Sequence, residues 1–128
     1  MLPFEFVIEG PPMSAQSHNP QRLAAWKARV RLAASLSWVG EPCSGKVRVV
    51  VTYYHDGDTA RLDTDNMLKP ILDALGGLVY VDDRQASHVQ ARSVDKRRGF
   101  VERSLRRLVA EGLETGREFI HIRIDEEQ

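Results

Sequence analysis

The chain has 128 residues, of which 42% are hydrophobic and 28% are charged; this suits one hydrophobic core and excludes an intrinsically disordered chain. Its 18 basic residues balance its 18 acidic residues. Taken alone, this neutrality argues against a partner held by overall charge, such as nucleic acid or an anionic membrane. We expect a single domain over 1–128.

The single cysteine, Cys43, excludes an internal disulfide and favours a reducing environment. Residues 1–10 contain no basic leader, and no segment has the roughly 20 consecutive apolar residues of a membrane span. We therefore expect a soluble, cytoplasmic protein that does not contact a membrane.

The first half of the chain predicts two strands with a helix between them. Alternating apolar residues at 4–9 predict a strand that stops at the glycine and prolines of 10–12. A polar loop follows, and apolar residues at helical spacing predict a basic amphipathic helix over 21–38. The β-branched run at 46–55 is dense enough for a central strand.

After a charged loop, a stripe of apolar residues at 68–75 predicts a short helix that ends at Gly76-Gly77. The first of these glycines suits the left-handed position that follows a helix. Pro70 removes an amide donor inside this helix, so we expect either a late helix start or a kink. Residues 78–81 predict a short strand or a turn.

Three further elements complete the predicted fold: a strand over 85–94, an amphipathic helix over 100–111 that ends near Gly112, and a strand over 117–124. The resulting alternation predicts an α+β fold, a small mixed sheet with helices packed on one face.

Five of the 18 acidic residues fall within 21 residues that contain one basic residue, Lys69. These carboxylates are Asp63, Asp65, Asp73, Asp82 and Asp83. Like charges brought close by folding must take up protons or recruit a cation, and an all-oxygen ligand set favours Mg²⁺ or Mn²⁺. The cluster therefore indicates a metal site. We expect the helix and the turn after it to bring the first pair of aspartates, Asp63 and Asp65, close to the second pair, Asp82 and Asp83.

Structural alternatives stay open for the same residues. Asp63 or Asp65 could cap the N-terminus of the helix. Asp65, Lys69 and Asp73 are spaced i, i+4, i+8, as in an ordinary salt-bridged helix face. Asp-Asp pairs also occur in plain turns.

The acidic segment carries a long ordered pattern, D-x-D-N-x-x-K-x-x-x-D-x-L at 63–75 followed by D-D-x-Q at 82–85. This pattern resembles the RusA family of Holliday junction resolvases. The resemblance implies a small homodimeric α+β endonuclease, often of phage or prophage origin. Such a protein nicks four-way DNA junctions symmetrically with magnesium in recombination and repair.

Carried over by position, the resemblance implies that Asp63, Asp65 and Asp83 are essential acids and metal ligands, with Asp82 as a neighbouring ligand. Lys69 is the implied essential base, acting on a phosphate oxygen or in proton transfer. Supporting or structural roles fall to Asn66, Asp73 and Gln85. The stretch at 99–116 departs from shorter family members by adding a helix.

Charge is unevenly distributed, so the neutral total conceals a basic stretch. Residues 84–107 contain eight basic and two acidic residues, directly after the acidic segment. A phosphate backbone could be held there, although a solvated charged face is the simpler interpretation for any one arginine. The candidate DNA contacts are Arg92, Lys96, Arg97, Arg98, Arg103, Arg106 and Arg107, with Arg22 and Lys27 on the first helix.

Two other functions remain possible on sequence grounds. One is a catalytically inactive protein of the same fold that binds branched DNA. The other is a metal-dependent nucleotidyl transferase that uses Asp63 and Asp65, although the Gly-Ser element expected upstream of such a pair is missing.

Overall fold

The computed structural model describes residues 2–57, 64–96 and 107–127. For residues 64 and 65 it describes the backbone only. Its elements are β1 (Phe4–Glu9), α1 (Pro20–Ser35), β2 (Val47–His55), α2 (Thr64–Leu75), β3 (Ala86–Asp95), α3 (Arg107–Glu114) and β4 (Phe119–Glu126). This is the α+β fold that the sequence predicts. Among the described residues, no helix is long and apolar enough to cross a bilayer.

The four strands form one mixed sheet in the order β1-β4-β2-β3. β4 pairs antiparallel with both β1 and β2, whereas β2 and β3 are parallel. A parallel pair needs a long crossover connection, and α2 supplies it. β2 is therefore a central strand, as its β-branched run predicts.

The main core lies between the sheet and the pair α1 and α2. Alternate residues of each strand face it, as Val51 does between Ile122 of β4 and Ala91 of β3. Trp26 and Val30 of α1 and the buried apolar side chains of α2 close this core from the other side. The two helices thus cover one sheet face, and in this layer α2 packs against β3.

The position of α3 differs from the prediction that all helices pack on one face. Val109 of α3 packs with Tyr54 and Phe119, whose side chains point away from the main core. The position of Gly112 also differs from the prediction, because this glycine lies inside α3 and the helix ends two residues later, at Glu114. Gly112 is buried, and a Cβ atom added to it would lie 2.7 Å from Cε2 of Phe119. The missing side chain lets the Phe119 ring rest on the helix backbone. Residues 100–106 of the predicted helix lie outside the described residues.

We expect Gly112→Ala to lower the free energy of unfolding by about 1 kcal/mol. The Phe119 ring cannot retreat easily, because it is buried and stacked on Tyr54 at a centroid distance of 4.7 Å. Overpacking of this kind costs about 1–3 kcal/mol, which outweighs a gain of up to about 1 kcal/mol in helix propensity. Urea unfolding measures the change. Gly45→Ala is the control, since nothing lies within 4 Å of its added Cβ. Equal stability of the two variants would contradict this packing.

Pro70 does not delay the start of α2, so that alternative is wrong. The helix begins at Thr64, six residues earlier, and includes Pro70. The missing N–H of Pro70 leaves the carbonyl of Asn66 without its usual helical donor. The backbone N–H of Ala15 donates to that carbonyl at 2.9 Å. The loop before α1 is thereby tied to the first half of α2.

α2 ends at Leu75, just before the two glycines, as predicted, but the left-handed glycine differs from the prediction by one residue. Gly77, not Gly76, has a left-handed backbone, with φ of +82°. Gly76 instead forms an isolated bridge with Tyr80, and the N–H of Gly77 donates to the Tyr80 carbonyl at 2.7 Å. Residues 78–81 therefore form the turn that the sequence offers as one of two possibilities.

Candidate active site

A cleft of about 330 Å³ lies between the second half of α2 and the turn that leads into β3. It is lined by Lys69, Leu72, Asp73, Gly76, Asp82 and Asp83. Four of these six residues are charged. Three of the five acidic residues of the predicted cluster are thus brought together with its lysine.

Lys69 joins the two sides of the cleft. Its ammonium donates to Oδ1 of Asp73 at 2.8 Å, one helical turn away, and to Oδ2 of Asp83 at 3.0 Å across the cleft. The hydrogen bond to Asp73 and then that to Asp83 raise the pKa of Lys69 above its ordinary value. Lys69 is therefore a cation at neutral pH in this arrangement and acts as a fixed positive charge.

Asp73 is shared by two lysines. Besides Lys69, Lys27 of α1 approaches its Oδ2 at 3.5 Å. Partial burial favours the protonated acid, but the hydrogen bond and charge of Lys69, together with Lys27, lower the pKa of Asp73. The salt-bridged face that the spacing of Lys69 and Asp73 allows is thus present. It serves the cleft as well, because Asp73 holds Lys69 in place.

Asp82 and Asp83 enter the cleft from a short 3₁₀ turn, Asp83–Gln85. Asp82 caps this turn: its Oδ1 accepts the backbone N–H of Arg84 at 2.9 Å, and its Oδ2 accepts Nη2 of Arg84 at 3.1 Å. These bonds lower the pKa of Asp82, whose carboxyl also interacts with that of Asp83. Two carboxylates are consequently held side by side at the edge of the cleft.

Gln85 holds this turn to the chain before β2. Its Oε1 accepts the backbone N–H groups of Val81 and Asp82, both at 2.9 Å. Its Nε2 donates to the carbonyls of Cys43 and Gly45 at 2.7 and 2.8 Å. All four hydrogen-bonding positions of the amide are used, which is the structural role that the sequence motif allows for this residue.

We expect Gln85→Glu to destabilise the fold by about 2 kcal/mol. The carboxylate can still accept both amides but cannot donate to the two carbonyls, and each acceptor left unpaired costs about 1–3 kcal/mol. Thermal unfolding followed by circular dichroism measures the loss. Gln16→Glu is the matched control, because Gln16 is exposed in the loop before α1. Equal melting temperatures for both variants would refute the role of the amide.

Two residues that sequence patterns do not reveal complete the frame of the cleft. Nη1 of Arg31 in α1 donates to the carbonyls of Ala74 and Gly76, at 3.1 and 2.8 Å. A cation there satisfies carbonyls that the end of α2 leaves unpaired. The buried Tyr80 donates its hydroxyl to the carbonyl of Leu72 at 2.6 Å. The sequence shows only that Arg31 belongs to the predicted basic helix. No local pattern predicts the hydrogen bond of Tyr80.

The other predicted acidic residues are described in part. Asp63 lies outside the described residues. The backbone of Asp65 belongs to the first turn of α2, one helical turn before Lys69. Among the side chains that the structure describes, which exclude those of residues 63–65, no three acidic, histidine or cysteine side chains converge as a metal site. Asn66 is half-buried beside the loop before α1.

The candidate DNA contacts are in different environments. Arg22 and Arg92 are exposed, while Arg107 is exposed and paired with Glu111. Lys96 is engaged internally: its ammonium donates to the Arg117 carbonyl at 2.7 Å, and only 10% of its side chain is exposed. The remaining candidates, Arg97, Arg98, Arg103 and Arg106, lie outside the described residues.

The fold and the cleft define a small α+β protein whose carboxylates and lysine suit metal-assisted chemistry on a phosphate. The family model described as Endodeoxyribonuclease RusA matches residues 10–103, which are 94 of the 128 residues. The chain therefore belongs to the RusA family of endodeoxyribonucleases, as its motif indicates. No individual curated protein matches the chain. The matched region includes α1, β2, α2 and β3, and it ends before α3.

Proposed function

We propose that the protein is a Mg²⁺-dependent, structure-selective DNA endonuclease that resolves four-way junctions by paired symmetric nicks in recombination and repair. The observation that carries this proposal is the Lys69 ammonium held between Asp73 and Asp83 in a cleft. This cleft lies entirely within the region that matches the family. Family membership supports endonuclease activity, and the charged residues of the cleft support its assignment as the active site.

The donor set of the cleft fits a hard divalent cation. Its described ligand candidates are the Asp82 and Asp83 carboxylates, to which Asp63 and Asp65 are added on the strength of the motif. All of these ligands are oxygen, which favours Mg²⁺ or Mn²⁺ over zinc. When bound, such an ion supplies an activated water and neutralises charge on the phosphate.

The residues of the chain then have separate tasks. Lys69 provides positive charge for a phosphate oxygen, because it is protonated at neutral pH and exposed to the cleft. Asp73 positions Lys69 along α2, and Lys27 supports Asp73 from α1. Gln85 holds the turn that carries Asp83. A phosphate entering the cleft would take over one of the two interactions that Lys69 makes with carboxylates.

A nicking assay tests the proposal directly. The wild-type protein is incubated with a mobile four-way junction, and separately with a linear duplex of matching sequence, with and without Mg²⁺. We expect paired nicks in the junction that require the ion and little cleavage of the duplex. Junction binding without nicking in either Mg²⁺ or Mn²⁺ would instead identify an inactive binding protein, and equal cleavage of both DNAs would refute selectivity for structure.

Paired nicks at symmetric positions require two active sites, so we propose that the chain acts as a homodimer. Sedimentation equilibrium of the protein alone and with a junction tests this part. We expect twice the chain mass for the protein alone, and the mass of two chains plus one junction for the complex. A monomer that remains monomeric on the junction would contradict it.

A further inference from the structure

The sheet has a polar surface on the side opposite α1 and α2. There β2 and β3 run parallel, with Arg48 beside His88 and Thr52 beside Arg92 in register. Arg48, His88, Gln90 and Arg92 are exposed, and we call these four residues the basic face. Alternation places them away from the main core, because their strand neighbours Val49 and Ala91 face that core.

The positive charge of the basic face is not compensated within the described ranges 2–57, 64–96 and 107–127. No hydrogen bond or ion pair within these ranges involves the side chain of Arg48, His88 or Arg92. Asp125 of β4 lies opposite Arg48 in the sheet, but its Oδ2 accepts Nε of Arg123 at 2.9 Å. In contrast, the cations of the cleft, Lys69 among them, are bound to carboxylates. The basic face is therefore available to an anionic partner.

The spacing of the basic face suits a polyanion better than a single small anion. Arg48 and Arg92 are four residues apart along the two paired strands. At about 3.3 Å per residue this separation is about 13 Å, a length over which one strand of B-DNA carries about four phosphates. Since both arginines project from paired strands, the sheet holds their backbones at a constant separation.

We propose that the basic face binds the phosphate backbone of a second arm of a branched DNA, while the arm to be nicked occupies the cleft. The cleft lies on the side of the sheet that α2 covers, so one straight duplex that fills it does not lie across the basic face. A DNA with more than two arms can reach both. This inference rests on the proposed function and adds the residues that select a branched substrate.

The test compares Arg48→Ala/Arg92→Ala with the wild type in binding to a four-way junction and to a linear duplex across a series of salt concentrations without Mg²⁺. We expect the junction affinity to fall about tenfold or more, and the slope of log K against log salt to decrease by about two. Duplex affinity should change by less than about threefold.

The control is Arg29→Ala/Arg117→Ala, which removes the same charge from two residues that both bind Glu9. It should bind the junction as the wild type does. Unchanged junction affinity in Arg48→Ala/Arg92→Ala, or equal losses for junction and duplex, would overturn the second-arm proposal. If the wild type itself nicks no junction, the proposed function fails, whereas the affinity comparison still decides whether the basic face binds a second arm.

Discussion

Asp83→Asn should lower the rate of junction nicking by at least about a hundredfold while leaving junction binding close to the wild-type value. Asp83 is the carboxylate that meets Lys69 across the cleft, and the proposed ion requires a charged oxygen there. Loss of one group from a preorganised charged site reduces rates by about 10²–10³. The amide is isosteric, so folding and the contacts of the DNA outside the cleft should persist. Single-turnover nicking and gel-shift titration measure the two quantities.

Glu114→Gln is the matched control for this substitution. Glu114 is an exposed carboxylate at the end of α3, which packs on the opposite face of the sheet from α2. Its nicking rate should equal that of the wild type. Undiminished nicking by Asp83→Asn would place the chemistry outside this cleft, and loss of junction binding together with nicking would indicate a role in binding only.

Lys69→Ala should have two opposite effects, because Lys69 is both the cation of the cleft and a competitor for Asp83. Nicking should fall by about a hundredfold, since the phosphate loses a positive charge. Binding of Mn²⁺ should become tighter by about fivefold, because the ion no longer competes with the ion pair of Lys69 and Asp83. Two unit charges about 4 Å apart attract each other by about 1 kcal/mol in water. Calorimetric titration with Mn²⁺ measures the second effect.

Lys46→Ala is the control here, because Lys46 is exposed just before β2 and does not line the cleft. It should alter neither nicking nor Mn²⁺ affinity. If Lys69→Ala nicks normally, its charge has no part in the reaction. If its Mn²⁺ affinity does not rise, the ion does not share Asp83 with the lysine.

Sequence patterns locate most of the elements because strands and helices bury alternate or helically spaced residues. The strand over 4–9 coincides with β1. The run at 46–55 differs from β2 by one residue at its start, and the run at 85–94 is shifted from β3 by one residue. Element ends are less predictable where backbone groups find distant partners. Pro70 is tolerated within α2 because Ala15, 51 residues before Asn66, donates to the freed carbonyl.

The candidate site was predictable to the extent that its residues are neighbours in the chain. The spacing of Lys69 and Asp73 allows their ion pair on one helix, and that pair is present. The roles of Lys27 and Arg31 were not predictable in this way, because each reaches α2 from 43 to 46 residues earlier. Such contacts depend on how two helices cross over the sheet, and no local period encodes that.

By itself, the sequence determined the α+β class, the order of strands and helices, the acidic segment with its single lysine and the family to which the chain belongs. These properties depend on residue type and spacing over a few turns or strands. The tertiary structure decided that β4, the last strand in the chain, lies inside the sheet and that α3 packs against one part of the opposite face, around Tyr54 and Phe119. It also decided that Lys69 bridges Asp73 and Asp83. The reason is that burial and charge pairing act between surfaces that only the folded chain brings together.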